Sequence, residues 1–192
     1  MEIEVMNPAP TYAKLIDVIN PEFSDILVDL VKRKGIKSNY STNLNCREYK
    51  LPNVFTGSMS KEDVRIISHL HDIVEPIQAL ANQMFINTAM SKIRTHAGFW
   101  LMDYSEGGTF GNHVDFSTDD DGYSTAALAT FTVSLNDTKE FEGGEVYLSG
   151  KELPRQYLDG FLWDGWTYHE VKPVTKGKRY VLVVHFTGFV KE

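Results

Sequence analysis

From Phe99 onward the chain is a succession of short runs rich in β-branched and aromatic residues: FWLMDY, ALATFTVSL, GEVYL, GFLWD and RYVLVVHF. Clusters of glycine, aspartate and asparagine separate them. Such side chains suit a pleated, half-buried surface, and the separators suit tight turns. Several short strands with no helix between them imply a β-sandwich or barrel.

The first half has a different texture and reads as helical with irregular connections up to about residue 91. A helix is predicted from Pro21, where Phe23, Ile26, Leu27, Leu30 and Val31 recur at helical spacing and Gly35 is a natural stop. Lys32-Arg33-Lys34 then sits at its C-terminus, where cations are favoured. Residues 36–59 are polar and turn-rich and read as loop, with room for a short strand. Ser60 is an N-cap candidate with Asp63 three residues on. A stripe follows through Ile66, Ile67, Leu70, Ile73, Val74, Ile77, Leu80, Ala81 and Met84. Pro76 interrupts it, by a kink or by the start of a second helix. There is no internal repeat and no low-complexity tract. The expectation is one α+β, mainly β domain over residues 1–192. A helical support region over about 10–92 would buttress one face of a β core over about 93–190.

The 192 residues are enough for a sizeable core, and 42% hydrophobic with 23% charged is ordinary globular composition. The net charge of −7 gives no general attraction to phosphate backbones, and the basic runs Lys32–Lys34 and Lys176–Arg179 are short, so no nucleic-acid partner is expected. The single cysteine, Cys46, precludes an intrachain disulfide and suits a reducing, cytoplasmic setting. The opening MEIEVMNPAP does not resemble a signal peptide, and no apolar run reaches membrane-spanning length, so a soluble protein with no membrane partner is expected. Oligomeric state is not legible.

Six histidines occur, and two stand in telling company. Along a strand, residues i and i+2 share a face, so His113 and Asp115 can present an imidazole and a carboxylate side by side. His169, after GFLWD, is the best third ligand for a facial set that leaves positions open. Ten positions on, Arg179 opens the most apolar strand of the chain, Tyr180 to Phe186. A guanidinium entering a core needs an anion, and a dicarboxylate held through two parallel hydrogen bonds would supply it.

The segment HEVKPVTKGKR, from His169 to Arg179, resembles the H-x-V-x-P-V-T-x-G-x-R signature of PKHD-type and prolyl 4-hydroxylase-like 2-oxoglutarate oxygenases. Tyr104 and Gly107 in YSEGG, then His113-Val114-Asp115, resemble the family's Y-x-x-G and H-x-D block. Leu135-Asn136 and FEGGE (141–145) resemble its L-N and F-x-G-G-E block. The likeness spans roughly residues 99–186. It implies a double-stranded β-helix (jelly-roll, cupin-like) core. It also implies Fe(II) on His113, Asp115 and His169, and a 2-oxoglutarate carboxylate on Arg179. Tyr104 would hydrogen-bond that same carboxylate, with Thr130, Thr132 or Ser134 as further pocket hydroxyls. O2 is the implied second co-substrate, and ascorbate an optional accessory. The family often has tryptophan where this chain has His185, which could shape the substrate side of the pocket or add a fourth ligand. Gly143-Gly144 reads as a turn or bulge where only glycine fits, Glu145 as structural, and Asp119–Asp121 as a solvated loop rather than a calcium site.

The reaction so implied is hydroxylation of a C–H bond, since related halogenases lack the carboxylate that Asp115 provides. The closest resemblance suggests a prolyl or other peptidyl target. A free amino acid or small metabolite is the alternative. A nucleobase demethylase fits less well, because a second arginine shortly after Arg179 is missing. From other classes, a non-catalytic β-barrel binding module would be expected to lose a ligand or the arginine. A metal hydrolase would leave Arg179 unexplained.

Overall fold

The computed structural model describes residues 2–6, 12–39, 43–85, 91–116 and 127–190. The N-terminal part holds β1 (Glu2–Met6), β2 (Tyr12–Ile16), α1 (Pro21–Lys34), β3 (Ile36–Lys37), β4 (Asn43–Leu51) and α2 (Lys61–Phe85). The C-terminal part holds β5 (Ser91–His113), β6 (Ala129–Ser134), β7 (Phe141–Gly143), β8 (Val146–Leu148), β9 (Lys151–Glu152), β10 (Gly160–Asp164), β11 (His169–Val171), β12 (Val174–Gly177) and β13 (Arg179–Val190).

Helix α1 starts where the sequence says it must. The Asn20 side chain accepts a hydrogen bond from Phe23 N–H at 2.8 Å, and Pro21 occupies the first turn. Ser60 caps α2, its hydroxyl accepting from Asp63 N–H at 3.0 Å and donating to the Asp63 carboxylate at 2.8 Å. Helix α2 is one continuous element with Pro76 inside it, so no second helix begins there. Its buried stripe of Ile66, Ile67, Leu70, Val74, Ile77 and Ala81 joins Phe23, Leu27, Leu30 and Val31 of α1 in one apolar cluster.

That cluster covers one face of the larger sheet, whose strands run β1-β2-β10-β6-β13-β5, with β4 on the far side of β5. Strand alternation sends Phe99, Leu101, Phe131, Val133, Leu182, Val184 and Phe186 into the helices. The intervening residues face the other way, into a cavity. A second layer closes over that cavity. The end of β5 pairs with β11, then β8 and β9, while β12 pairs with β7. Strand β5 therefore serves both layers, beside β13 over Ser91–Tyr104 and beside β11 at Phe110 and His113. This curled antiparallel jelly roll is a double-stranded β-helix, and the fold is mainly β with two helices, as expected.

Two stretches differ from expectation. Residues 36–59 were to be loop with at most a short strand, yet β4 there is a nine-residue strand, in register with β5 through Cys46↔Tyr104, Glu48↔Met102 and Lys50↔Trp100. The region up to about 91 also contributes β1 and β2, and β2 extends the sheet beside β10. Among the described residues no helix is long and apolar enough to cross a membrane.

Candidate metal and co-substrate site

His113 ends β5 and lies opposite His169, the first residue of β11. Asp115 falls two residues later, just beyond the strand. It is fixed there by the Gly165 carbonyl, which accepts from Asp115 N–H at 3.0 Å and from Phe116 N–H at 2.8 Å. The three side chains converge. His113 Nε2 is 3.4 Å from Asp115 Oδ1, and His169 Nε2 is 3.3 Å from Asp115 Oδ2. One nitrogen or oxygen from each lies within 4.8 Å of the others.

The tautomers are set by the backbone. His113 Nδ1–H donates to the Gly111 carbonyl at 2.7 Å, and His169 Nδ1–H to the Thr167 carbonyl at 3.0 Å. Each Nε2 is left directed toward the carboxylate, the arrangement found behind metal-ligating histidines. Thr130 Oγ1 donates to Asp115 Oδ2 at 2.5 Å, and Phe110 stacks on the His113 ring at 3.9 Å. Burial pushes the Asp115 carboxyl up, but His113, His185, His169 and Thr130 together outweigh it and hold it well below the usual range. Burial pulls His169 down. For His113 burial acts the same way, yet the Asp115 and Gly111 hydrogen bonds prevail and raise it. Two imidazole nitrogens and one carboxylate oxygen, converging on one cavity, fit a divalent iron ion.

Arg179 opens β13 beside Tyr104 and is 5% exposed. Its guanidinium lies 5.5 Å from the Tyr104 ring centroid. No carboxylate among the described residues forms an ion pair with it. Glu145, which acts on it electrostatically, is paired with Arg155 at 3.1 Å instead. Burial pulls the arginine down to about 10. A buried cation left so is a receptor for an external anion. Tyr104 is buried too, which keeps its hydroxyl above the usual range. The Cys46 thiol engages that hydroxyl and adds to the shift, while Arg179 opposes it. Gly144 leaves the room Arg179 needs. At its φ of +67° a Cβ would stand 2.9 Å from Arg179 Cδ.

One cavity of about 520 Å³ holds all five residues that the sequence singles out. Of the candidate hydroxyls, Thr130 and Thr132 line it, and Thr130 is committed to Asp115. His185 lies across from Thr130, with Nε2 4.0 Å from Asp115 Oδ1 and its ring 4.9 Å from that of Trp100. Asp119–Asp121 lies outside the described residues. Among the lining residues that the sequence reading did not single out are Glu48, Lys50, Trp100 and Trp163. For the first two the available signal was the i, i+2 spacing of Cys46, Glu48 and Lys50, hidden by reading that stretch as loop.

Residues 99–187 match the family model for the 2OG-Fe(II) oxygenase superfamily. A PKHD-type hydroxylase of Aliarcobacter butzleri is 32% identical over 133 residues, covering 66% of this chain and 58% of that protein. One from Delftia acidovorans is 31% identical over 124 residues, covering 55% of each. The chain thus spans a little over half the length of these curated relatives. Among solved structures, the viral collagen prolyl hydroxylase of Paramecium Bursaria Chlorella virus-1, in its 2OG complex, superposes with a TM-score of 0.65 at 16% identity, covering 93% of this chain and 96% of that one. A Pseudomonas putida prolyl-4-hydroxylase gives 0.64 at 14%, covering 92% and 91%. A Trichoplax adhaerens prolyl hydroxylase, in complex with a hypoxia inducible factor peptide fragment, gives 0.64 at 12%, covering 92% and 83%. At such identities the likeness establishes the fold, and the family match rests on the sequence that builds the cavity: residues 99–187, with every candidate ligand and Arg179 among them, are the stretch that matches the 2OG-Fe(II) oxygenase superfamily model.

Proposed function

We propose that this protein is an Fe(II)- and 2-oxoglutarate-dependent dioxygenase that hydroxylates a C–H bond of a prolyl or other peptidyl residue. The observation that carries this reading is the meeting, in one cavity, of the His113–Asp115–His169 triad and a buried arginine with no acidic partner among the described residues. A binding module that had merely kept the fold would have no reason to preserve both.

In this reading His113, Asp115 and His169 hold Fe(II). When bound, the metal, 2-oxoglutarate and O2 supply the oxidising chemistry, in which decarboxylation of the 2-oxo acid is coupled to hydroxylation of the substrate. The chain's own residues do the rest. Arg179 holds the distal carboxylate of 2-oxoglutarate through its forked donors, and the Tyr104 hydroxyl adds a hydrogen bond to it. The Gly111 and Thr167 carbonyls keep both Nε2 atoms unprotonated toward the metal, and Thr130 fixes the carboxylate plane. Phe110, Trp163, Val181 and Val183 surround the reacting centre with apolar surface that excludes water. Ascorbate is a candidate accessory reductant. The single cysteine, buried beside Tyr104, suits a reducing cytoplasm.

The prolyl hydroxylases among the solved neighbours support a peptidyl prolyl target, and the curated relatives support a hydroxylase. A second reading keeps the chemistry and takes a free amino acid or small metabolite, which the polar cavity residues Glu48, Lys50 and His185 favour. Anaerobic titration with Fe(II) and then 2-oxoglutarate tests the chemistry. A weak visible charge-transfer band is expected, followed by succinate release on admission of O2. Absence of both, with Arg179→Ala indistinguishable from the unaltered protein, would refute the oxygenase. Succinate formation across proline-containing peptides and free amino acids then separates the two readings.

A further inference from the structure

Glu48 is out of place unless something meets it. It stands on β4, opposite Met102 on the cavity side of β5, and its Oε2 is buried with no hydrogen-bond partner. A carboxylate oxygen removed from water and left without a donor costs free energy that folding alone does not return. Among the described residues no basic side chain compensates it. Arg47 turns to the opposite face of the strand and donates to the Gly35 carbonyl. Lys50, two residues on and on the same face, makes no ion pair with it; its ammonium rests over the Trp100 ring at 4.4 Å. Lys50 is exposed at the rim, where solvent satisfies it. The acceptor inside the cavity is therefore the group that awaits a partner.

The location narrows what that partner is. Arg179 on β13 and Glu48 on β4 flank β5 in one cavity, and both act on Tyr104 between them, one as a cation and the other as a carboxylate that repels anions. The dianionic 2-oxoglutarate cannot satisfy Glu48. Nor does any described residue of the chain. We propose that Glu48 receives a cationic nitrogen of the substrate, an ammonium or guanidinium borne near the C–H bond presented to the metal. Trp100 and His185, whose tilted rings lie 4.9 Å apart in the same cavity, form the wall against which the substrate's carbon frame lies. The net charge of −7 favours approach of a cation over that of an anion. This inference rests on the oxygenase reading above and names the substrate class for it. The cation can belong to a basic residue in a peptide or to a free basic amino acid, and both carry the same chemistry to Glu48.

The test uses the full chain loaded anaerobically with Fe(II) and 2-oxoglutarate. Probes are the blocked peptide Ala-Pro-Lys-Ala, its acetyl-lysine counterpart, free L-lysine and Nε-acetyl-L-lysine. Binding is read by isothermal titration calorimetry, turnover by succinate release above the substrate-free baseline. At least one lysine probe is expected to bind about tenfold or more tightly than its acetylated form, the size of effect that a desolvated charge pair supplies. Which of the two does so tells peptide from free amino acid. Glu48→Gln, which keeps the shape and removes the charge, is expected to abolish that preference. It should raise KM for the cationic probe with little change in kcat, and leave the Fe(II)–2-oxoglutarate absorption band intact. Equal binding of charged and acetylated probes, or a preference that survives in Glu48→Gln, overturns the inference. Charge-selective binding without succinate from any probe, substrate-free turnover included, would sink the oxygenase reading and leave the assignment of Glu48 standing.

Discussion

Replacing Arg179 by methionine should make the ligand-free protein more stable while destroying its hold on 2-oxoglutarate. The guanidinium is 5% exposed, and burial lowers it from 12.5 to about 10. A base whose folded pKa is depressed binds its proton more tightly in the unfolded chain. Below the folded pKa it therefore destabilises the folded state by the full difference, on the order of 3 kcal/mol near neutral pH. Methionine carries no charge and fills most of the volume. Losing the contact with the Tyr104 ring returns roughly 1 kcal/mol of that gain, and a residual void returns more. A net stabilisation of about 1–2 kcal/mol remains, worth roughly 2–8 °C in melting temperature for a chain of this size. Binding moves the other way. Two charge-assisted hydrogen bonds at about 1.5–3 kcal/mol each correspond to a loss of roughly a hundredfold to ten-thousandfold in 2-oxoglutarate affinity. Thermal melts of the ligand-free proteins and calorimetric titration of 2-oxoglutarate measure both sides. A variant that melts lower than the unaltered protein would mean that Arg179 is a structural residue. Unchanged affinity would mean that the co-substrate's carboxylate lies elsewhere.

Three further outcomes follow from the same coordinates. Thr130→Val removes the 2.5 Å hydrogen bond to Asp115 and is expected to weaken Fe(II) binding by about 10–100-fold, with a near-normal melting temperature in the absence of metal; metal titration followed by tryptophan fluorescence checks it. His96 is buried between His71 and Phe99, and burial, with His71 adding to it, lowers it from 6.5 to about 4. The unfolded chain then binds the extra proton first, so stability is full above about pH 6.5 and falls as pH drops toward 4. Between about pH 7.5 and 5 the loss is on the order of 2 kcal/mol, and urea melts of His96→Gln should lack that component. Gly165→Ala places a Cβ against the Ala127 carbonyl and must shift the segment whose own carbonyl holds the amides of Asp115 and Phe116. Both a destabilisation of about 1–3 kcal/mol in melts and a weaker metal affinity are expected, and an unaltered metal affinity would show that Asp115 is positioned by other means.

Much of this site was legible because its parts are local in sequence. His113 and Asp115 are two residues apart, and the ten-residue interval from His169 to Arg179 lies within one motif. The core strands announced themselves through short runs of β-branched and aromatic residues between turn clusters, α1 through its apolar stripe and α2 through its Ser60 cap and stripe. Strand β4 did not, for a physical reason. It faces helices on one side only through Tyr49 and Leu51, and its cavity face carries Cys46, Glu48 and Lys50, so the apolar alternation that marks a half-buried strand is absent. The polarity that hid β4 as a strand is the polarity that makes it part of the site. Cross-strand register was equally out of reach. Nothing in the sequence says that Tyr104 sits between Cys46 and Arg179, or that His185 comes to lie 4.0 Å from Asp115. The i, i+2 rule also succeeded for a reason other than the one it supposes. Strand β5 stops at His113, and Asp115 is turned toward the histidines by the Gly165 carbonyl rather than by strand pleating.

The distance between the His113–Asp115–His169 cluster and Arg179 is set twice over, by two separate pieces of chain. Strand β5 carries Tyr104 in the larger sheet and His113 in the smaller one, and between them the backbone passes Gly107 at a φ of +76°. The return path leaves His169 on β11, crosses through β12 and reaches Arg179 on β13, and between them lies Gly177 at a φ of +74°. Each glycine adopts a left-handed conformation that side chains resist, and each is also crowded: a Cβ on Gly107 would stand 2.9 Å from Asn45 Nδ2, and one on Gly177 would meet the Glu140 carbonyl. Because His113 pairs with His169 at one end and Tyr104 pairs with Arg179 at the other, the two spacers form the sides of a closed frame whose corners are the functional residues. A one-residue insertion in either side would shift its register against the other and turn a ligand or the arginine to the wrong face. The fixed intervals in the sequence are thus the covalent expression of one length, the span from the His113–Asp115–His169 cluster to Arg179. Glu48 stands on β4, outside that frame.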